Sequence, residues 1–168
     1  MAPMNNIPEV KLALVGVSRN CFPAELTRAR MAKVVQACKK AKVEIIACET
    51  IVETEKDAVQ VLSELRATRA NALAIYLGNF GPEGPMTILA REFGGPFMLC
   101  AAAEESANSL IDGRGDAYCG MLNASLNCGL RRLTAHIPDV PVGAPDQVAD
   151  MLAHFTRVAR VVIGVKNL

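Results

Sequence analysis

Leu73-Ala74-Ile75-Tyr76-Leu77-Gly78-Asn79-Phe80-Gly81-Pro82-Glu83-Gly84-Pro85 begins as an unbroken apolar run and ends in three glycines and two prolines. A run of that length with no polar alternation fits a strand buried on both faces of a parallel sheet. In such sheets ligands sit in the loops that follow the strands. Glycine and proline fix the shape of this loop, and Asn79, Phe80 and Glu83 place polar and stacking groups on it. A structural turn needs fewer special residues, so the segment is expected to face a ligand.

The same rhythm extends in both directions. Val10 to Val17 is a second apolar run, followed by Pro23 and a helix to about Ala41 with Leu26, Ala29, Val34, Val35 and Cys38 at helical spacing. Val43 to Cys48 is the next strand. Thr54 with Asp57 three residues on is a capping pattern for a helix that buries Val59, Leu62 and Leu65. After the strand Ala72 to Leu77 come a short helix from Met86 to Phe93 and a strand from Phe97 to Ala102. Ala117 to Leu130 is expected as a helix, Leu133 to Ile137 as a fifth strand, and Asp146 to about Val162 as a last helix.

Strands that alternate with helices at short spacing imply a parallel sheet covered on both faces. Five of them predict an α/β three-layer sandwich with a flavodoxin-like doubly wound sheet, strand order 2-1-3-4-5. That order brings three loops to one sheet edge: Ser18 to Pro23, Gly78 to Pro85, and Ala103 to Asp116.

Composition narrows the function. The 168 residues suit one domain over 1–168, and 51% hydrophobic with 21% charged residues is globular composition. A net charge of +1, with the basic residues scattered, argues against nucleic acid and anionic membranes. Two tyrosines, five phenylalanines and no tryptophan leave little for stacking on RNA bases. No apolar run reaches a membrane span, and Met1 to Asn6 has no signal-peptide core, so the expected location is the cytoplasm.

Several chemistries lack their residues. The first loop, Gly16-Val17-Ser18-Arg19-Asn20-Cys21, has neither the three-glycine dinucleotide pattern nor a Ser/Thr-rich flavin phosphate cradle. Pro82 removes a backbone donor that a phosphate in the second loop would need. Leu14 to Val17 supplies no acidic residues for a phospho-receiver site. Six cysteines show no Cys-x-x-Cys spacing, and His136 and His154 belong to no ligand motif, so no zinc site is expected. Cys21 lies in a loop but has no neighbouring histidine to activate it.

The segment Asp112 to Ser125 is rich in a different way. Glycines flank Arg114, and Asp116 either caps the following helix or serves a ligand. Gly120 inside a helix costs about 1 kcal/mol against alanine, which suggests a close approach by a strand, a subunit or a ligand. Asn123 falls on the same helix face by spacing, and Tyr118 is expected to pack.

Gly16 to Pro23, Tyr76 to Pro85, Ala101-Ala102-Ala103-Glu104-Glu105 and Gly113 to Asn123, in that order, resemble the N-terminal region of the L-fucose/L-arabinose isomerase family. The resemblance covers nearly the whole chain. It implies a flavodoxin-like first domain of an enzyme that interconverts aldoses and ketoses with a divalent metal, commonly manganese, and that assembles into oligomers. The family's metal carboxylates and acid/base pair lie in the following domain, whereas this chain stops at Val165-Lys166-Asn167-Leu168. The expectation is therefore a substrate-rim and assembly domain without the downstream catalytic domain, holding neither catalytic residues nor metal ligands of its own. On the matching positions Arg19, Asn20 and Phe22, then Asn79, Phe80 and Glu83, and lastly Arg114 and Asn123 are candidates for the sugar-binding rim. Amides and charged groups suit hydroxyls, and a flat ring suits the C–H side of a sugar. The expected partners are a sugar and further copies of the chain. Two other readings stay open: a stand-alone flavodoxin-like small-molecule-binding or regulatory module, and an enzyme of this fold with its own chemistry.

Overall fold

A computed structural model of the protein describes residues 7–105 and 114–166. Five parallel strands, β1 (Leu12–Val17), β2 (Ile46–Ala47), β3 (Ala72–Leu77), β4 (Phe97–Ala102) and β5 (Val142–Gly143), form one sheet in the order β2-β1-β3-β4-β5. The helices are α1 (Ala24–Ala41), α2 (Glu55–Thr68), α3 (Glu83–Phe93), α4 (Ala117–Leu130) and α5 (Pro145–Lys166). Helix α1 packs on α5, while α2 packs on α3 and α3 on α4, so two helical layers enclose the sheet. All six residues of each of β1, β3 and β4 are buried, which is why these strands lack polar alternation.

The doubly wound class and the strand order agree with the sequence expectation. Thr54 does cap α2 in a full capping box with Asp57. The edges differ. Only Ile46–Ala47 of the expected second strand pairs with β1, and Val52 adds a separate bridge to Val17 further along. The expected fifth strand at 133–137 gives a single bridge, His136 to Met98, and β5 itself lies at Val142–Gly143. Pro138 and Pro141 explain the shift, because each removes a ladder donor and interrupts pairing along β4.

Helix α3 begins three residues before the expected Met86, since Pro85 sits in its first turn, where a missing N–H costs nothing. Glu83 is thus the first residue of a helix and not part of a free loop. Helix α2 buries Ala58, Val61, Leu62 and Leu65 but leaves Val59 60% exposed. Ala29 of α1 is exposed, and Arg30 takes a place in the buried stripe with Thr27, Met31 and Val34. Among the described residues no helix is long and apolar enough to cross a membrane.

Candidate functional site

The loops after β1 and β3 and the described ends of the loop after β4 meet at the C-terminal edge of the sheet. Asn79 joins the first two. Its side-chain oxygen accepts from the Arg19 backbone N–H at 3.0 Å and the Gly81 N–H at 3.2 Å, and its Nδ2 donates to Ser18 Oγ at 2.9 Å. Asn79 and Ser18 are both 0% exposed, and Ser18 in turn donates to Glu53 Oε1 at 3.2 Å. The Asn79 amide is thus occupied in setting the loops. A ligand at this edge meets what Asn79 positions rather than Asn79 itself.

What it positions is Arg19. The guanidinium carbon lies 4.6 Å from the centre of the Phe80 ring, a cation–π arrangement, and Nη2 is ion-paired with Glu83 Oε2. Asn123, on α4, donates to the same Glu83 oxygen at 3.3 Å. The Glu83 carboxyl is held below its ordinary value, first by its own backbone N–H at the start of α3, against the opposing effect of burial, and then by Arg19. The Arg19 and Glu83 side chains are about one-third exposed, so both faces of the pair reach solvent. Arg19, Phe80, Glu83 and Asn123 form one cluster drawn from two loops and two helices, α3 and α4.

Gly120 explains how α4 comes close enough. A Cβ there would lie 2.0 Å from the Phe80 carbonyl oxygen, so only glycine lets the helix rest on this loop. The close approach anticipated from the sequence is therefore to the loop after β3. Gly78 is similarly confined, with Thr27 2.6 Å from its virtual Cβ.

A second set lies beside the first. Arg30, 3% exposed, donates to the Gly78 carbonyl at 2.7 Å and to Glu104 Oε2 at 2.7 Å. Glu104 also accepts from the Gly115 N–H at 3.1 Å, tying the described ends of the third loop to the second. Lys33 pairs with Glu105 at 2.5 Å. Arg30, Lys33, Glu104, Glu105 and Tyr76 line a cavity of about 370 Å³ that extends to the start of α5. Sequence reading missed Arg30 and Lys33; the signal was an arginine at a 3–4 spaced position of the apolar stripe of α1.

Among the described residues, the other candidates form no side-chain hydrogen bond or ion pair with this cluster. Asn20 is exposed and Phe22 partly buried, and the Phe22 backbone N–H donates to the Arg19 carbonyl at 2.8 Å. Arg114 turns to Asp116, with Nε 2.5 Å from Oδ1. Asp116 holds the N-cap position of α4 at φ 51°, but its side chain makes no capping bond. Tyr118, expected to pack, is 61% exposed. Asp112 lies outside the described residues. His136 and His154 stack with ring centres 5.8 Å apart, and His136 bonds to Phe97 at the start of β4, at the far end of the sheet from the loops.

Manganese does not fit this chemistry. Glu83 and Glu104 are each ion-paired with an arginine, and among the described residues no group of three or more His, Cys, Asp or Glu could hold a metal.

The fold and this edge define a flavodoxin-like α/β domain with an arginine-capped aromatic and a tethered carboxylate at its switch point. The chain belongs to the family described as the fucose/sulfoquinovose isomerase N-terminal domain, whose model matches residues 13–166. Among solved structures, a PurE2 variant from Treponema denticola covers 95% of this chain and 89% of its own at 13% identity, with a TM-score of 0.49. No curated protein sequence matches the chain.

Proposed function

We propose that the chain is the substrate-rim and assembly domain of an aldose–ketose isomerase of the L-fucose/L-arabinose type, without catalysis of its own. The observation that carries this is the Arg19–Phe80–Glu83–Asn123 cluster at the switch-point edge of a domain from this family. Phe80 offers a flat apolar surface to the C–H side of a sugar. Arg19 donates and Glu83 accepts, so neighbouring hydroxyls of one sugar find both roles within one pair. Asn79 acts beneath them as a positioning residue. Manganese and the acid/base groups belong to the complete enzyme, because isomerisation needs a cation with several ligands and a proton carrier that these ion-paired carboxylates do not supply.

Two measurements test the reading. Purified chain incubated with manganese and a panel of aldoses, fucose and arabinose included, should yield no ketose. Turnover that survives repurification and vanishes in Glu83→Gln or Glu104→Gln would overturn this. In a parallel NMR titration with L-fucose, the backbone amides of residues 19, 80 and 83 should shift at millimolar sugar, and Phe80→Ala should remove the response. A spectrum unchanged by sugar would sink the rim assignment.

A further inference from the structure

Asn123, Asn127 and Arg131, the last at the C-cap of α4, are spaced four residues apart and so lie along one line of the helix. Their side chains are joined end to end. Arg131 Nη1 donates to Asn127 Oδ1 at 2.5 Å, Asn127 Nδ2 donates to Asn123 Oδ1 at 3.0 Å, and Asn123 Nδ2 donates to Glu83 Oε2 at 3.3 Å. The direction of this chain is forced from both ends, because a guanidinium only donates and a carboxylate only accepts. The Asn127 oxygen therefore faces Arg131, its NH2 group faces Asn123, and the Asn123 NH2 group is left for Glu83. Asn127 Nδ2 also reaches the Asn123 carbonyl at 3.0 Å, which pins the amide without changing its direction. Two asparagines inside a helix forgo the propensity that alanine would supply there, so their place in α4 calls for a reason beyond the helix itself.

We propose that Asn127 is a positioning residue of the Arg19–Glu83 site, acting through Asn123 and oriented in turn by Arg131. On its own, Asn123 can turn either edge of its amide toward Glu83, and its oxygen there would repel the carboxylate. Asn127 removes that choice. The consequence falls on Glu83. Arg19 from the loop after β1 and Asn123 from α4 both meet the same oxygen, Oε2. Among the described residues no donor from another residue bonds Oε1, so that oxygen keeps its accepting capacity for a ligand hydroxyl. One oxygen of the carboxylate is thus held inside the protein while the other stays open to binding. The relay itself needs no ligand; the use of Oε1 by a sugar hydroxyl rests on the function proposed above.

The test follows the Glu83 carboxyl carbon by NMR through an acid titration of the full chain, without sugar. Asn127→Leu, similar in size and uncharged, should raise the Glu83 midpoint by roughly 0.3 unit or more, part of what a charge-assisted bond does for its acceptor. Asn127→Asp should raise it further, because a carboxylate at this position draws the Asn123 NH2 group away from Glu83. Arg131→Lys, which keeps a donor, should leave the midpoint in place. The same substitutions in an Asn123→Ala background separate the relay from a general loosening of α4. With Asn123 gone, Asn127→Leu should no longer move Glu83, and Asn127→Asp should move it only by its charge. Circular dichroism reports that each variant is folded. A midpoint unmoved by Asn127→Leu in a folded chain, or moved equally with and without Asn123, would overturn the proposal. If Asn127→Leu does not fold, the comparison of Asn127→Asp in the two backgrounds decides, since its charge acts in both and the relay in only one. The sugar titration is read apart from this: a wild type blind to sugar overturns the proposed function and leaves the relay standing.

Discussion

At Gly120 the whole site rests on one missing methyl group. Alanine there gains about 1 kcal/mol of helix propensity, but its Cβ would overlap the Phe80 carbonyl oxygen at 2.0 Å. Two backbones must separate to make room, and overpacking of this sort typically costs 1–3 kcal/mol or more. Gly120→Ala is therefore expected to destabilise the fold by about 2 kcal/mol despite the propensity gain, read as a lower midpoint in urea unfolding. An unchanged or raised midpoint would mean that α4 does not lean on the loop. Asn79 presents the opposite case, a polar residue whose chemistry is spent entirely inside the protein. From the sequence its amide resembles a ligand-facing group, because only coordinates reveal that Arg19, Gly81 and Ser18 already use it. Arg30 was hidden for a complementary reason: an arginine in an apolar helical stripe gains meaning only once the Gly78 carbonyl and Glu104 are found beside it.

Elements were legible in the sequence in proportion to their burial. The six-residue runs of β3 and β4 and the span of α4 match their expected bounds residue for residue, because burial on both faces or a bounded helical stretch leaves a clear trace. Edge strands pair on one side only, and Pro138 and Pro141 follow the expected fifth strand, so their bounds moved. Helix α3 began early because its first turn tolerates Gly84 and Pro85, and this moved Glu83 from loop to helix. That placement has a consequence in acid. The folded carboxyl titrates below its ordinary value of 4.5, so its stabilising contribution is complete above that pH and is lost as pH falls through the folded value. Glu83→Gln should flatten this part of the acid limb of the stability curve while leaving stability near neutrality only slightly lower. The measurement is the urea midpoint from pH 7 to pH 3 for both proteins. An identical acid slope in the two would show that Arg19 and the α3 amide do not hold the carboxylate.

Across the whole molecule, burial sorts the six thiols. Cys38, Cys48, Cys100 and Cys128 are buried, and Cys21 and Cys119 are exposed. Burial pushes the Cys38 thiol up to about 11 and those of Cys48 and Cys100 to about 12, with a rise at Cys128 as well. A thiol reagent at neutral pH should therefore modify two cysteines of the native chain quickly and all six in denaturant, the modified positions being read by peptide mass. Rapid reaction at Cys100 would contradict the sheet packing. The outer strands have a different bearing on how the protein meets others. Ile46–Ala47 and Val142–Gly143 are two residues each, so neither side of the sheet presents a row of unpaired amides and carbonyls long enough to template another strand. Sheet extension from copy to copy, the route to fibrils, is closed by geometry.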